Sequence, residues 1–412
     1  MNDEKSLSIY FILGLVVSVY CSHAFGLKPL AQNYHTVKPE LASWHFQTTS
    51  SNWDGYQVSI DAGTAVLARV PSSWDFFVEM VILLSGSLAI IRTETVRSSS
   101  RNVVLILKSF GIALWLIIAG IVLESLNNSS TLIPGNSLLV WLGILTFFGR
   151  LWLFLPIRKC RYFVPLGLLF LCLHWMIVQY GFGEAEAKSS VDKGLANEGL
   201  DDISSTSVWG NESGVLERVS LAFGKILPKS VRSSGLTTDY ANYSEINLIA
   251  YAGLYVLGIA AGMIYISVGS TARIIFRLGS LSLGFIGLSI LLQLGGLPAV
   301  PRLASAPHIL LACGFGYLLL SFGTIVVAGK YGRKICHPVI AVGAGSVLLY
   351  ILERGFGVAF RTEVDKHLEP LFEAMFGDQW LQWEPIVFYN IVFLIFAAAC
   401  IYLYRKKVRI SF

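Results

Sequence analysis

Charge is scarce in this chain. Only 14% of its 412 residues are Asp, Glu, Lys or Arg, against about 25% in an ordinary soluble domain. So little charge cannot clothe a water-soluble surface of this size, and the 54% hydrophobic content with a mean hydropathy of +0.64 points to a membrane protein. The net charge of +5 is modest and sits in short clusters between apolar runs. Clusters of that kind are orientation signals, and nucleic acid is not expected as a partner. Cysteine is also sparse: Cys21, Cys160, Cys172, Cys313, Cys336 and Cys400 show no metal-ligand spacing, and four of them lie within or beside apolar runs. Neither a disulfide framework nor a metal site is expected.

What the sequence does have is apolar length. A bilayer core needs about 20 apolar residues per helix, and ten stretches qualify, near 8–27, 74–91, 103–124, 137–156, 162–182, 246–268, 274–293, 307–329, 338–355 and 385–404. The predicted fold class is an all-α integral membrane protein, one polytopic domain over 1–412 with about ten transmembrane helices. A cleaved signal peptide is the competing reading of the N-terminus, since Ser22-His23-Ala24 resembles a small-residue cleavage site. Against it, MNDEKS is not positively charged and the following apolar run is long for a signal core.

The connections alternate in charge. Arg92, Arg97 and Arg101; Arg158, Lys159 and Arg161; Arg273 and Arg277; Lys330, Arg333 and Lys334; and Arg405 to Arg409 all fall on one side. The positive-inside rule makes that side cytoplasmic, with both termini. The long connections 28–73, 184–245 and 356–384 fall on the other. The second is rich in Ser, Gly, Asp and Glu and reads as a mobile loop. Four Asn-x-Ser sequons, at Asn127, Asn128, Asn211 and Asn242, share that face. The third pairs apolar and charged residues at helical spacing and ends in Trp380 and Trp383, as an interfacial segment would.

Ionisable side chains inside a membrane are costly and mark a functional interior by default. They are His23, Glu79, Lys108, Arg150, His174, His308 and Glu353. Lys108 and Arg150 fall in the cytoplasmic halves of their helices; His23, Glu79, His308 and Glu353 fall towards the outer ends. Lys108 can equally snorkel to headgroups. His174 has no second histidine three or four residues away, so the bland reading is a hydrogen bond to a neighbouring helix rather than metal or haem ligation. Glu79 and Asp75 share a helical face. The outer segment NYHTVKPELASWHFQTTSSNWDGYQ adds His35, His45, Trp44, Trp53 and Asp54. An imidazole suits general-base work on a hydroxyl or amine, while the tryptophans serve equally as interfacial anchors.

Several stretches together resemble the membrane acyltransferase superfamily. LIAYAGLYVLGIAAGMIY, HPVIAVGAGSVLLYIL and IYLYRKKVRISF are similar to the C-terminal half of the heparan-alpha-glucosaminide N-acetyltransferase family, as is NWDGYQ to its Trp-x-Gly. FFVEMVILLSGSLAII resembles the second helix of related acyltransferases that modify surface sugars. The resemblance implies transfer of an acyl group, acetyl foremost, from cytoplasmic acyl-CoA to a sugar or glycan hydroxyl or amine outside. It places His23 at the position of a first-helix histidine that serves in transfer. Ile12 stands where that family has an arginine, Ser50 where the heparan-type family has a histidine, and Glu353 where a late-helix histidine is expected.

The expected site therefore has His23 or His45 as base or transient acyl carrier, with Glu79 and Asp54 orienting the imidazole. Arg150, Lys108, Arg158 and Lys159 would hold the phosphates of the donor. The departures at Ile12 and Ser50 keep open a transport or glycan/lipid-handling role on the same scaffold, or an accessory subunit that docks through 184–245. Membrane lipids are expected partners in every case, with the cell's inner membrane favoured.

Overall fold

The structure is a computed structural model that describes residues 2–22, 76–97, 102–127, 137–152, 160–181, 247–297, 299, 304–329, 331–377, 380–408 and 410. These residues form helices and short turns. In chain order they are α1 (Asn2–Cys21), α2 (Phe77–Arg97), α3 (Asn102–Asn127), α4 (Leu138–Trp152), α5 (Cys160–Gly181), α6 (Asn247–Ser267), α7 (Thr271–Leu294), α8 (Ala306–Ala328), α9 (Gly332–Ile335), α10 (His337–Ala344), α11 (Ser346–Phe376) and α12 (Trp380–Arg405). Among the described residues α6, α7, α8 and the Ile386–Arg405 part of α12 are long and apolar enough to cross a membrane. The pair α10 and α11 makes a fifth if its two halves are one broken span. The expected segments 28–73 and 184–245 lie outside the described residues.

Two helices form the centre. α6 is buried along nearly its whole length, and α2 lies against it. Small residues make this possible. A side chain at Gly86 would collide with the Tyr255 carbonyl, one at Gly258 with the Leu83 carbonyl, and one at Gly262 with Ser87. Ser87 then donates to the Gly258 carbonyl at 2.8 Å. In an apolar surround helices gain little by hiding apolar surface from lipid, so close backbone packing and hydrogen bonds across the seam must hold them. The α1–α10 seam follows the same rule: Gly14 faces the Val339 carbonyl and Gly343 the Tyr10 carbonyl.

Other helices gather round this pair. α7 packs on α8, where Ser282 donates to the Gly314 carbonyl at 2.8 Å and Ser289 to the Pro307 carbonyl at 2.6 Å. Tyr317 of α8 reaches across to the Leu257 carbonyl of α6 at 2.7 Å. The outer faces are apolar and bare: Phe276 is 75% exposed and Leu283 72%, and α3 presents Leu107, Phe110, Trp115 and Ile118. Exposed apolar area of this extent marks an interaction surface. Lipid chains would cover it.

The ninth apolar stretch is not one straight helix. It breaks at Gly345 with a 70° bend between α10 and α11. Cys400 of α12 lies where a side chain at 345 would go, and the Val347 N–H beyond the break donates to the Ile410 carbonyl at 3.2 Å. The chain expected as an outer connection from 356 continues as helix to Phe376, with Glu363 and Lys366 paired at 2.6 Å on its exposed face. Lys366 holds the Glu363 carboxyl below its ordinary range.

Gly258→Leu should lower stability by about 1–3 kcal/mol, because the α2 backbone has no room to retreat. Gly279→Ala, in open space on α7, should be neutral or stabilising by up to about 1 kcal/mol. Unfolding midpoints of both variants in detergent check the contrast.

Candidate functional site

Glu79 occupies the first turn of α2. The sequence places it in an apolar run, and the bundle buries it to 1% exposure. Two other helix starts meet it. His308 follows Pro307 in the first turn of α8, and Tyr251 lies one turn into α6. The His308 Nε2 stands 3.4 Å from Glu79 Oε1, an ion-pair distance without hydrogen-bond alignment. The Tyr251 hydroxyl donates to the same oxygen across a long 3.4 Å. Three helix N-termini converge here, and their partial positive charge favours negative charge that develops beside them.

Aromatic rings fix the arrangement. Phe76 stacks on the His308 imidazole with centroids 5.1 Å apart and planes at 5°, and Phe315 tilts against Phe76 at 5.7 Å. Trp141 from α4 leans on the Tyr251 ring at 5.2 Å. His308 is fully buried. Glu79 Oε2 and His308 Nδ1 have no hydrogen-bond partner among the described residues. A buried polar atom left unsatisfied costs about 1–3 kcal/mol. Each atom keeps an unused hydrogen-bonding capacity: Oε2 can accept a hydrogen bond, and the Nδ1 lone pair can accept one when Nε2 carries the ring N–H towards Glu79.

A second carboxylate lies on α11. Glu353, 4% exposed, pairs with Arg361 at 2.5 Å, and Gly357 between them leaves the room that the carboxylate fills. The Arg361 guanidinium also lies 4.5 Å from the Tyr389 ring centre on α12. Tyr20, Phe77 and Tyr350 stack nearby, Tyr20 on Phe77 at 3.7 Å and on Tyr350 at 6.1 Å. This cluster ties α11 to α12 and α1 to α2. Where the resemblance leads one to expect a histidine, the chain has a carboxylate neutralised by its own helix.

Of the sequence-predicted site residues, the structure describes the surroundings of Glu79. His23, His45, Asp54, Arg158 and Lys159 lie outside the described residues. Lys108 and Arg150 are in helices, and their register is informative. Gly120 of α3 meets Ser137 and Val140, and Gly143 of α4 meets Ala113 and Ile117. This antiparallel register brings positions 108 and 150 level on neighbouring helices. Gly149 beside Arg150 lies against the Tyr255 ring of α6. His308 was visible in the sequence as an intramembrane ionisable residue. Tyr251 gave no such signal, being one tyrosine of three in α6. Compared with protein-family models and with curated proteins, the chain matches none.

Replacing Glu353 by Gln leaves Arg361 without its counter-charge in a mostly buried place. The expected loss is about 1–3 kcal/mol, below that of a fully buried pair because Arg361 is 17% exposed. A Glu353→Gln/Arg361→Gln double variant should recover part of it, and a double-mutant cycle on thermal unfolding reads the difference.

Proposed function

We propose that this chain is a ten-span membrane acyltransferase, with both termini cytoplasmic, that moves an acyl group from cytoplasmic acyl-CoA to a hydroxyl or amine on a sugar or glycan outside. The observation that carries the reading is the buried pair Glu79 and His308, with an open Nδ1 on the imidazole and an open Oε2 on the carboxylate. The ten passes are α1 to α8, the broken pair α10 and α11, and α12. In this topology the Glu79 ends of α2, α6 and α8 face outward, and Arg92, Arg97, Arg273, Arg277, Arg333 and Lys334 follow at the opposite ends. The cell's inner membrane is the location that suits this arrangement.

The division of labour follows depth. Lys108 and Arg150, level on α3 and α4, are the groups for the phosphates of the donor, with Arg158 and Lys159 at the membrane edge. The acceptor's O–H or N–H gives its proton to His308 Nδ1 as its heteroatom attacks the thioester carbon. The carbon–sulfur bond breaks, and the CoA thiolate takes the proton back from the imidazole. Glu79 holds the ring and stabilises the imidazolium, while the converging helix starts stabilise the oxyanion. Tyr251 holds Glu79. His23, His45 and Asp54 remain sequence-level candidates for the same outer end.

Thermal unfolding with acetyl-CoA, free CoA and no ligand tests the donor half, since a ligand that binds the folded state must raise its stability. Stabilisation by both CoA compounds, lost in Arg150→Ala, is the expected result. His308→Asn and Glu79→Gln should keep that stabilisation and lose turnover by about 100-fold or more. Absence of stabilisation at saturating CoA would transfer support to transport or glycan/lipid handling on the same scaffold.

A further inference from the structure

α8 starts at the Glu79 site and ends at Ala328, so α9 follows at the opposite end of the bundle. Charge gathers there that no step above uses. α9 carries Arg333 and Lys334, both exposed, flanked by Tyr331 at 68% exposure and Ile335 at 76%. α12 ends in Arg405, Lys406 and Lys407, also exposed, with the Lys406 ammonium 5.7 Å from the centre of the Tyr402 ring. The two basic stretches meet: His337, in the first turn of α10, packs edge-on against Tyr404 at 5.5 Å. Beyond α12 the Ile410 carbonyl accepts from the Val347 N–H, so the tail turns back into the bundle.

The turn that reverses the chain is strained. Lys407 has a φ of 62°, in the left-handed region. Its N–H donates to the Tyr404 carbonyl at 2.9 Å, and the Val408 N–H donates to the Leu403 carbonyl at 3.0 Å. This pair of bonds closes a helix on a residue that is usually glycine, because a side chain crowds the backbone there. Orientation in the membrane asks only for Lys and Arg near a span. It does not ask for a lysine in a glycine's place, or for tyrosines and an isoleucine bare among the charges. Neither 329–352 nor 396–412 contains an Asp or Glu to offset the repulsion.

We propose that this end of the bundle binds the phosphate-bearing headgroups of anionic lipids in the cytoplasmic leaflet. Lys and Arg close to the membrane surface attract such lipids within a Debye length. Tyr331, Ile335 and Tyr402 enter the layer where acyl chains give way to headgroups. The left-handed turn keeps the Lys407 charge at the end of α12, near the α9 pair, instead of letting the tail disperse in solvent. The proposal rests on the topology above, in which this end is cytoplasmic, and not on acyl transfer.

Thermal unfolding of the full chain in detergent tests it, with added phosphatidylglycerol, phosphatidylcholine of the same acyl chains, or inorganic phosphate. Phosphatidylglycerol should raise the midpoint where the other two do not, and the rise should shrink as salt is added. Lys407→Gly should unfold no earlier than the parent without lipid, since glycine relieves the turn, yet need about five-fold more phosphatidylglycerol for the same rise. Arg333→Gln/Lys334→Gln/Lys406→Gln should lose most of the rise. Equal rises with both lipids, an equal rise with inorganic phosphate, or a full phosphatidylglycerol rise in these variants overturns the proposal. Stabilisation by acetyl-CoA should survive in the variants; its loss would make the patch a donor-phosphate site and overturn the lipid assignment. A lipid response without a CoA response would keep this proposal and sink the acyltransferase reading, and the reverse result would do the opposite.

Discussion

The close approach of α2 to α6 is the constraint on which the rest depends. Gly86, Gly258 and Gly262 bring two backbones within reach, and Ser87 locks them through the Gly258 carbonyl. Once that seam is fixed, Glu79 at the start of α2 and Tyr251 near the start of α6 have no freedom to part. α8 packs against both, which brings His308 to the same place. A wider seam would separate the three groups and let lipid chains enter between them.

Burial then gives these groups their character. In water a glutamate, a histidine and a tyrosine would find solvent partners. Here each has to find a partner in the protein or remain costly, and the approach of His308 to Glu79 leaves Glu79 Oε2 and both imidazole nitrogens without a hydrogen bond among the described residues. The incomplete pairing separates this cluster from Glu353 and Arg361. There the carboxylate is met by a guanidinium on its own helix, which is further held by Tyr389. One cluster is closed and ties helices together; the other leaves an acceptor and a ring nitrogen open.

Much of the helical architecture could be read from the chain alone. The apolar stretches predicted helices near 8–27, 74–91, 103–124 and 246–268, and helices occur at each, because in an apolar surround the backbone must satisfy its own hydrogen bonds. The break at Gly345 was not legible. HPVIAVGAGSVLLYIL reads as one continuous apolar run with two glycines, and sequence alone does not separate Gly345, where the break falls, from Gly343, which stays inside α10. The bend arises where Cys400 from α12 and the tail at Ile410 pack against the break.

The sequence by itself determined that the chain is helical, apolar and sparing with charge, and that few ionisable groups would stand inside it. Those features follow from composition and run length, which act locally. It also singled out Glu79 and noted His308, because a charge in an apolar run is visible without any fold. Only the tertiary structure decided that these two residues, 229 positions apart by number (308 − 79), share a site with Tyr251, while Glu353 is committed to Arg361. Such pairings depend on which helix faces meet, and here glycine contacts between distant segments set those faces.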